Sequence, residues 1–143
     1  MTSLTTEAEN TKLIRRMKDE LNDHTVGAFE KFFAENYEAG MVRSGDETPL
    51  SGRGDVRALF EEYLAAFPDY HDETPELVAE GDRVVTYNEV TGTHDGPFRG
   101  IEPTGTSVRY NSFGLYWIED AQIVGSTGML GWPTLLILLA ITT

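Results

Sequence analysis

One histidine in this chain stands where a proton-transferring group could work. His94 follows a predicted strand and belongs to residues 90–105, a segment with four glycines and two prolines. An imidazole titrates near neutral pH, so His94 at the rim of a pocket is a candidate general base. The alternative is structural. Glycine and proline fix backbone shape, and the ring nitrogens of His94 would then bond backbone groups of the loop.

Glu89 is the second candidate for acid–base chemistry. It lies in the middle of a predicted strand over residues 83–93, in which successive side chains face opposite sides of the sheet. Facing inward, Glu89 is a pocket carboxylate available for proton transfer. Facing outward, it is an ordinary exposed strand residue. The other histidines, His24 in a turn and His71 among acidic neighbours, are expected at the surface.

Aromatic and amide side chains are better candidates for binding than for catalysis. The strand after the glycine-rich loop carries Tyr110 and Tyr116 on one face and Phe113 and Trp117 on the other. Both faces therefore contain large apolar groups, and alternation alone does not decide which lines a pocket. Trp117 equally fits a dimer interface. The candidate binding residues are Tyr37, Tyr63, Tyr87, Tyr110, Asn111, Phe113 and Trp117.

Helices in the first half of the chain and strands in the second must position these residues. Apolar spacing predicts helices over about 6–21, 25–33 and 51–67, with Thr25 and Ser51 as N-caps of the second and third. Strands are predicted over 37–42, 70–80, 83–93, 106–118 and 122–129. Pro75 indicates an edge strand or an irregularity. This order predicts an α+β fold, with helices on one face of an antiparallel sheet.

Size and composition narrow the function further. The 143 residues suit a single domain over 1–143 with one core. The absence of cysteine excludes thiolate zinc sites, and three histidines leave little for a metal, so no metal site is expected. A net charge of −13 argues against nucleic acid as a partner and indicates either a well-solvated acidic surface or adaptation to a high-salt cytoplasm. A polar start and apolar runs shorter than the ~20 residues of a membrane span predict a cytoplasmic protein.

Five segments carry a family pattern in order. They read LSGRGDVRALF (50–60), AFPDY (66–70), LVAEGDRV (77–84), TGTHDGPFRGIEPTG (91–105) and IEDAQIV (118–124), with Ala121 where the pattern has glycine. Over about residues 10–130 the chain thus resembles the SnoaL-like polyketide cyclases of the nuclear-transport-factor-2-like superfamily. The resemblance implies a cone-shaped α+β barrel, in which about three helices close a strongly curved mixed or antiparallel sheet around a pocket. It also implies a homodimer, a small apolar ligand, and no metal or redox cofactor.

The resemblance fails at the family's acid–base positions. Family cyclases close a ring by an aldol step, with an aspartate on the final strand as general acid and base. That aspartate falls near Gly131 here, and a second family position, a histidine, falls at Gly40. Two function classes therefore stay open. One is a cyclase- or isomerase-type enzyme for an apolar carbonyl compound, with His94 or Glu89 as a non-standard base. The other is a non-catalytic ligand-binding or dimeric interaction domain.

The C-terminal segment, 131–143, contains seven consecutive apolar residues at 135–141. This run is too short to cross a bilayer, which takes about 20 residues. We expect it to cap the open end of the barrel or to pack in a dimer groove. The alternative is an anchor for a membrane or a partner.

Overall fold

The computed structural model describes residues 4–39 and 50–129. Three helices and five strands follow one another along the chain: α1 (Leu4–Asn22), α2 (Ala28–Phe32), β1 (Phe33–Ala39), α3 (Arg53–Ala66), β2 (His71–Glu80), β3 (Arg83–Thr93), β4 (Ser107–Glu119) and β5 (Gln122–Met129). The predicted α+β class is confirmed. Residues 40–49 and 130–143 lie outside the described ranges, and with them the predictions for Gly40, Gly131 and the apolar C-terminal segment.

The five strands form one mixed sheet in the order β1-β5-β4-β3-β2. β1 runs parallel to β5, whereas the other three pairings are antiparallel. β2 is an edge strand, and its register with β3 shifts between Glu73 and Glu76, on either side of Pro75. This is what proline predicts, since it cannot donate a backbone hydrogen bond to a neighbouring strand.

Two helix starts differ from the sequence-based expectation. α3 begins after Gly52, which has a φ of 82°, and the backbone N–H of Ser51 donates to the Asp55 carboxylate at 2.9 Å. Asp55 is thus the acceptor at this end, and Ser51 is not the N-cap. α2 begins at Ala28 because residues 25–29 first form a turn, in which the N–H of Ala28 donates to the Thr25 carbonyl.

The helices pack on one face of the sheet, which is the inner face. On β3 the buried positions alternate as Val84, Thr86, Asn88 and Val90. The register of β3 with β4 places Tyr110 opposite Val90 and Tyr116 opposite Val84, on the same inner face. Two apolar clusters fill this side, one around Phe29, Phe33 and Phe60 and the other around Phe67 and Phe98. No helix within 4–39 or 50–129 is long and apolar enough to span a membrane.

Candidate functional site

A cavity of about 240 Å³ lies between the helices and the inner face of the sheet. Its walls are mostly apolar and aromatic, with a few polar side chains. The lining residues are Met17, Leu21, Asn22, Phe29, Phe33, Val56, Leu59, Phe60, Tyr63, Tyr70, Asp72, Tyr116 and Ser126. Because an apolar cavity of about 150 Å³ accommodates benzene, this one suits a molecule of about one or two rings.

Asp72, at the start of β2, supplies the one carboxylate in the described lining of the cavity. Its Oδ2 accepts a hydrogen bond from Lys18 Nζ at 2.6 Å, and the two side chains are only 16% and 10% exposed. The other oxygen, Oδ1, is buried and has no hydrogen-bond partner within residues 4–39 and 50–129. Buried polar atoms are nearly always paired, so a free carboxylate oxygen in a cavity wall marks a place where a ligand can be bound or deprotonated.

Lys18 reaches Asp72 from α1. Burial alone would lower the pKa of Lys18, but the neighbouring Tyr116 and Asp72 outweigh burial and raise it above the ordinary value of 10.5. Lys18 therefore remains an ammonium ion at neutral pH and acts as a counter-charge rather than as a nucleophile.

Asn88 holds Lys18 from the sheet side. Its Oδ1 accepts hydrogen bonds from Lys18 Nζ at 3.3 Å and from the Thr74 hydroxyl at 3.0 Å. Its Nδ2 donates to the Ser112 hydroxyl at 3.2 Å. Since Asn88 and Thr74 are buried, this network fixes the ammonium group in one position.

Asn22 fixes the backbone of Asp72. The Asn22 side chain donates to the Asp72 carbonyl at 2.9 Å and accepts from the Asp72 N–H at 2.8 Å. This two-point contact joins the end of α1 to the start of β2 in the manner of a neighbouring strand. The Asp72 side chain therefore extends from a backbone that both the helix and the sheet hold.

Tyrosine side chains form much of the remaining wall. Tyr63 stacks between Tyr70 and Phe98, with ring centroids 6.0 and 5.6 Å away. Tyr70 also meets the edge of Phe60 at 5.8 Å. Burial raises the pKa of Tyr70 well above its ordinary value of 10.0. Tyr70 therefore keeps its proton at neutral pH and can donate a hydrogen bond.

The candidate binding residues divide between the two faces of the sheet. Tyr63 lines the cavity, and the Tyr37 hydroxyl lies 2.5 Å from Ser126 Oγ, which also lines it. Tyr110 is on the inner face but packs in the cluster around Phe67 and Phe98.

Four further candidates lie on the outer face of the sheet, on β3 and β4. The Asn111 amide donates to the Tyr87 hydroxyl at 2.8 Å, and Tyr87 packs on Phe113 at 5.2 Å. Trp117 is opposite Arg83 and Gly125 on the neighbouring strands. These four residues are not brought together with Asp72.

His94 is fully buried outside the cavity lining and packs against Phe67, with ring centroids 5.5 Å apart. Its Nδ1 accepts a hydrogen bond from the Thr104 backbone N–H at 3.2 Å and lies 3.0 Å from the Thr104 hydroxyl. This is the contact with loop backbone that the structural interpretation of His94 expects. Glu89 faces the outer side, where its carboxylate is 38% exposed and lies 3.7 Å from Arg109.

Sequence reasoning missed Asp72, Lys18 and Asn88, although two of them left a signal. Lys18 follows Ile14 by four positions and therefore shares the apolar face of α1. Asn88 occupies an inward position in the alternating pattern of β3. A charged or amide group on an otherwise apolar face is the signal that could have found them.

Comparison with known proteins gives one family. The model of the SnoaL-like polyketide cyclases matches residues 11–130. No curated protein matches the chain at a significant level.

Solved structures have the same fold. AclR, a proposed hydroxylase from Streptomyces galilaeus, has a TM-score of 0.80 and 27% identity over 94% of this chain and 83% of its own. A proposed SnoaL-like cyclase from Jannaschia sp. CCS1 has a TM-score of 0.82 and 22% identity over 100% and 98%. IdmH, a proposed polyketide cyclase from Streptomyces antibioticus, has a TM-score of 0.73 and 22% identity over 84% and 90%. By its family match, this chain belongs to the SnoaL-like polyketide cyclases.

Proposed function

We propose that the protein is a cyclase- or isomerase-type enzyme that removes a proton from a carbon next to a carbonyl group, with Asp72 as the base. The substrate is a small, mostly apolar molecule held in the cavity. The observation that carries this proposal is the free, buried Oδ1 of Asp72 in an otherwise apolar and aromatic wall. Its position on β2 differs from the family's usual acid–base position.

The chemistry balances without a co-reactant. Asp72 takes the proton, the electrons of the C–H bond form the C=C bond of an enolate, and the carbonyl electron pair moves to oxygen. In ring closure the enolate carbon attacks a second carbonyl of the same molecule, and the protonated Asp72 returns its proton to the new alkoxide. In isomerisation the proton returns to a different carbon. In both cases the product is an isomer of the substrate.

The surroundings of Asp72 suit this role. Lys18 and Asn22 hold the side chain and the backbone of Asp72, so the base is pre-positioned before the ligand enters. The apolar walls exclude water, which strengthens the electrostatic contacts inside the cavity.

Hydrogen exchange on a simple ketone tests the proposal without knowledge of the natural substrate. With 1-tetralone in D₂O, proton NMR follows loss of the signal from the carbon next to the carbonyl. We expect the protein to accelerate exchange and Asp72→Asn to lower the rate by about 100-fold or more. Asp82→Asn, which changes an exposed acid, is the matched control. Equal rates for the wild type and Asp72→Asn would contradict the proposal.

The same assay weighs His94 and Glu89. His94→Gln or Glu89→Gln could lower the exchange rate as much as Asp72→Asn does, with an unchanged melting temperature. In that case the replaced residue, and not Asp72, would be the base.

Non-catalytic ligand binding is the second candidate function. It is favoured by the salt bridge of Asp72, whose Oδ2 already pairs with Lys18 without any ligand. Saturable binding of 1-tetralone with no acceleration of exchange would support this function over the first.

We also propose that the protein forms a homodimer through the outer face of the sheet. Val78, Val85 and Phe113 are 68%, 43% and 45% exposed there, an apolar surface of the kind that marks an interface. Sedimentation should give twice the mass of the chain for the wild type and the monomer mass for Phe113→Glu. A monomeric wild type would contradict the proposal.

A further inference from the structure

Tyr116 lines the same cavity as Asp72 but extends from β4, whereas Asp72 extends from β2. It lies close enough to Lys18 to help keep the ammonium group charged, together with Asp72. The cavity therefore has a free carboxylate oxygen and a phenol hydroxyl that one buried cation connects.

The donors of Lys18 determine what the Tyr116 hydroxyl can do. An ammonium group has three N–H donors and no acceptor. One donates to Asp72 and one to Asn88, and the third is available to the neighbouring Tyr116. The Tyr116 oxygen is thus on the accepting side of this contact, and its own proton is left for another acceptor. That proton can be donated to a ligand in the cavity that Tyr116 lines.

Gly114 gives the Tyr116 ring its place on the sheet. A Cβ built on Gly114 would lie 3.0 Å from Tyr116 Cε2 and 3.3 Å from its hydroxyl, and 3.0 Å from Thr86 Oγ1. The ring therefore lies back along β4 over a position that has no side chain. A methyl group at position 114 would push Tyr116 or Thr86 away.

We propose that Tyr116 donates a hydrogen bond to the carbonyl oxygen of the substrate and stabilises the enolate, and that Lys18 is the positioning residue that orients Tyr116. This inference rests on the proposed function, because Tyr116 would stabilise the enolate that Asp72 forms in the same step. Asp72 removes the proton from carbon while the negative charge that moves to the carbonyl oxygen meets the Tyr116 O–H. The substrate class is an uncharged ketone whose carbonyl oxygen faces β4 and whose neighbouring C–H faces β2.

2-Naphthol provides a direct probe, because its anion resembles an enolate and absorbs at a longer wavelength than the neutral form. The Asp72→Asn protein mimics the state after proton removal. We expect it to bind 2-naphthol with the absorption spectrum of the anion. Adding Tyr116→Phe or Lys18→Met should weaken binding of the anion about tenfold or more, the usual effect of losing a hydrogen bond to a charged group. Lys31→Met, which changes an exposed lysine, should leave the absorption spectrum unchanged.

Rates and variants separate this inference from the proposed function. Tyr116→Phe should reduce exchange of 1-tetralone about 100-fold, the effect of removing one donor to a developing oxyanion. Gly114→Ala should reduce it in the same direction with the Tyr116 hydroxyl retained. If Tyr116→Phe keeps both naphtholate absorption and exchange while Asp72→Asn still abolishes exchange, this inference is wrong and the proposed function stands. If Asp72→Asn has no effect either, the proposed function itself fails.

A purely structural role for Lys18 predicts a different result. In that case Lys18→Met would lower the melting temperature, but the folded protein below that temperature would still bind 2-naphthol as the anion. Absorption from the neutral form only, in a folded Lys18→Met/Asp72→Asn protein, supports the positioning role. Retained absorption of the anion overturns it.

Discussion

Replacing Lys18 with methionine is the most informative stability experiment on this protein. Methionine keeps much of the aliphatic chain but removes the charge. The Asp72 side chain, which is only 16% exposed in the wild type, then lacks its partner. Breaking a buried ion pair by removing one member costs about 3–5 kcal/mol, because the remaining charge stays desolvated. For a domain of this size that loss corresponds to a decrease in melting temperature of about 10–15 °C.

The double variant Lys18→Met/Asp72→Asn gives the decisive comparison. It removes both charges, and replacing a buried pair by uncharged groups is often neutral for stability. We therefore expect the double variant to recover most of the free energy of unfolding lost in Lys18→Met. Urea denaturation followed by circular dichroism measures all the variants.

Lys31→Met is the matched control for this cycle. Lys31 pairs with Glu20 at 2.9 Å, but its side chain is 51% exposed. An exposed pair contributes at most about 1 kcal/mol. Two results would show that the buried ion pair does not stabilise the site. One is a decrease in the free energy of unfolding below about 1 kcal/mol in Lys18→Met. The other is a double variant whose decrease equals the sum of those in the two single variants.

Further predictions concern turns, pH and salt. Ala121 has a φ of 59°, in the left-handed region that favours glycine. Ala121→Gly should therefore raise the free energy of unfolding, measured by urea denaturation, by about 0.5–1 kcal/mol. A decrease in that free energy would argue against a strained turn. Gly96→Ala should lower the free energy of unfolding by about 3 kcal/mol, and with it the melting temperature, because a Cβ would overlap the Ala65 carbonyl oxygen. An unchanged melting temperature would contradict this contact. Burial raises the pKa of Tyr110 above its ordinary 10.0, so the stability that comes from burying the neutral hydroxyl is present below pH 10 and is lost above it. Tyr110→Phe should therefore flatten the decline in the free energy of unfolding between pH 9 and about pH 11. An unchanged decline would refute this. If the charge of −13 reflects adaptation to high salt, the melting temperature should rise from dilute buffer to molar salt, and no rise would count against it.

The strands could be predicted from sequence because their signals are local. The bounds 83–93 and 122–129 agree with β3 and β5, since alternation of apolar residues and turn residues at each end act within a few positions. Pro75 likewise indicated an edge strand or an irregularity, and β2 has both features. The predicted start of α2 at Thr25 was wrong, because a turn at 25–29 precedes the helix.

The candidate site could not be predicted in the same way because it is assembled from distant segments. Lys18 and Asp72 are 54 positions apart, and nothing local indicates that they meet. The face of β4 that lines the cavity was also undecidable, since Tyr116 and Trp117 are both large aromatic residues. The packing of the helices and the register with β3 decide it.

A crystal structure of the protein soaked with 1-tetralone tests the central claim most directly. The account predicts the ketone in the cavity, with the carbon next to its carbonyl about 3–3.5 Å from Asp72 Oδ1, the distance of a reactive complex. The carbonyl oxygen should lie within about 3 Å of the Tyr116 hydroxyl. A ketone bound elsewhere, or bound in the cavity with its carbonyl turned away from Tyr116 and its neighbouring carbon remote from Asp72, would contradict the account.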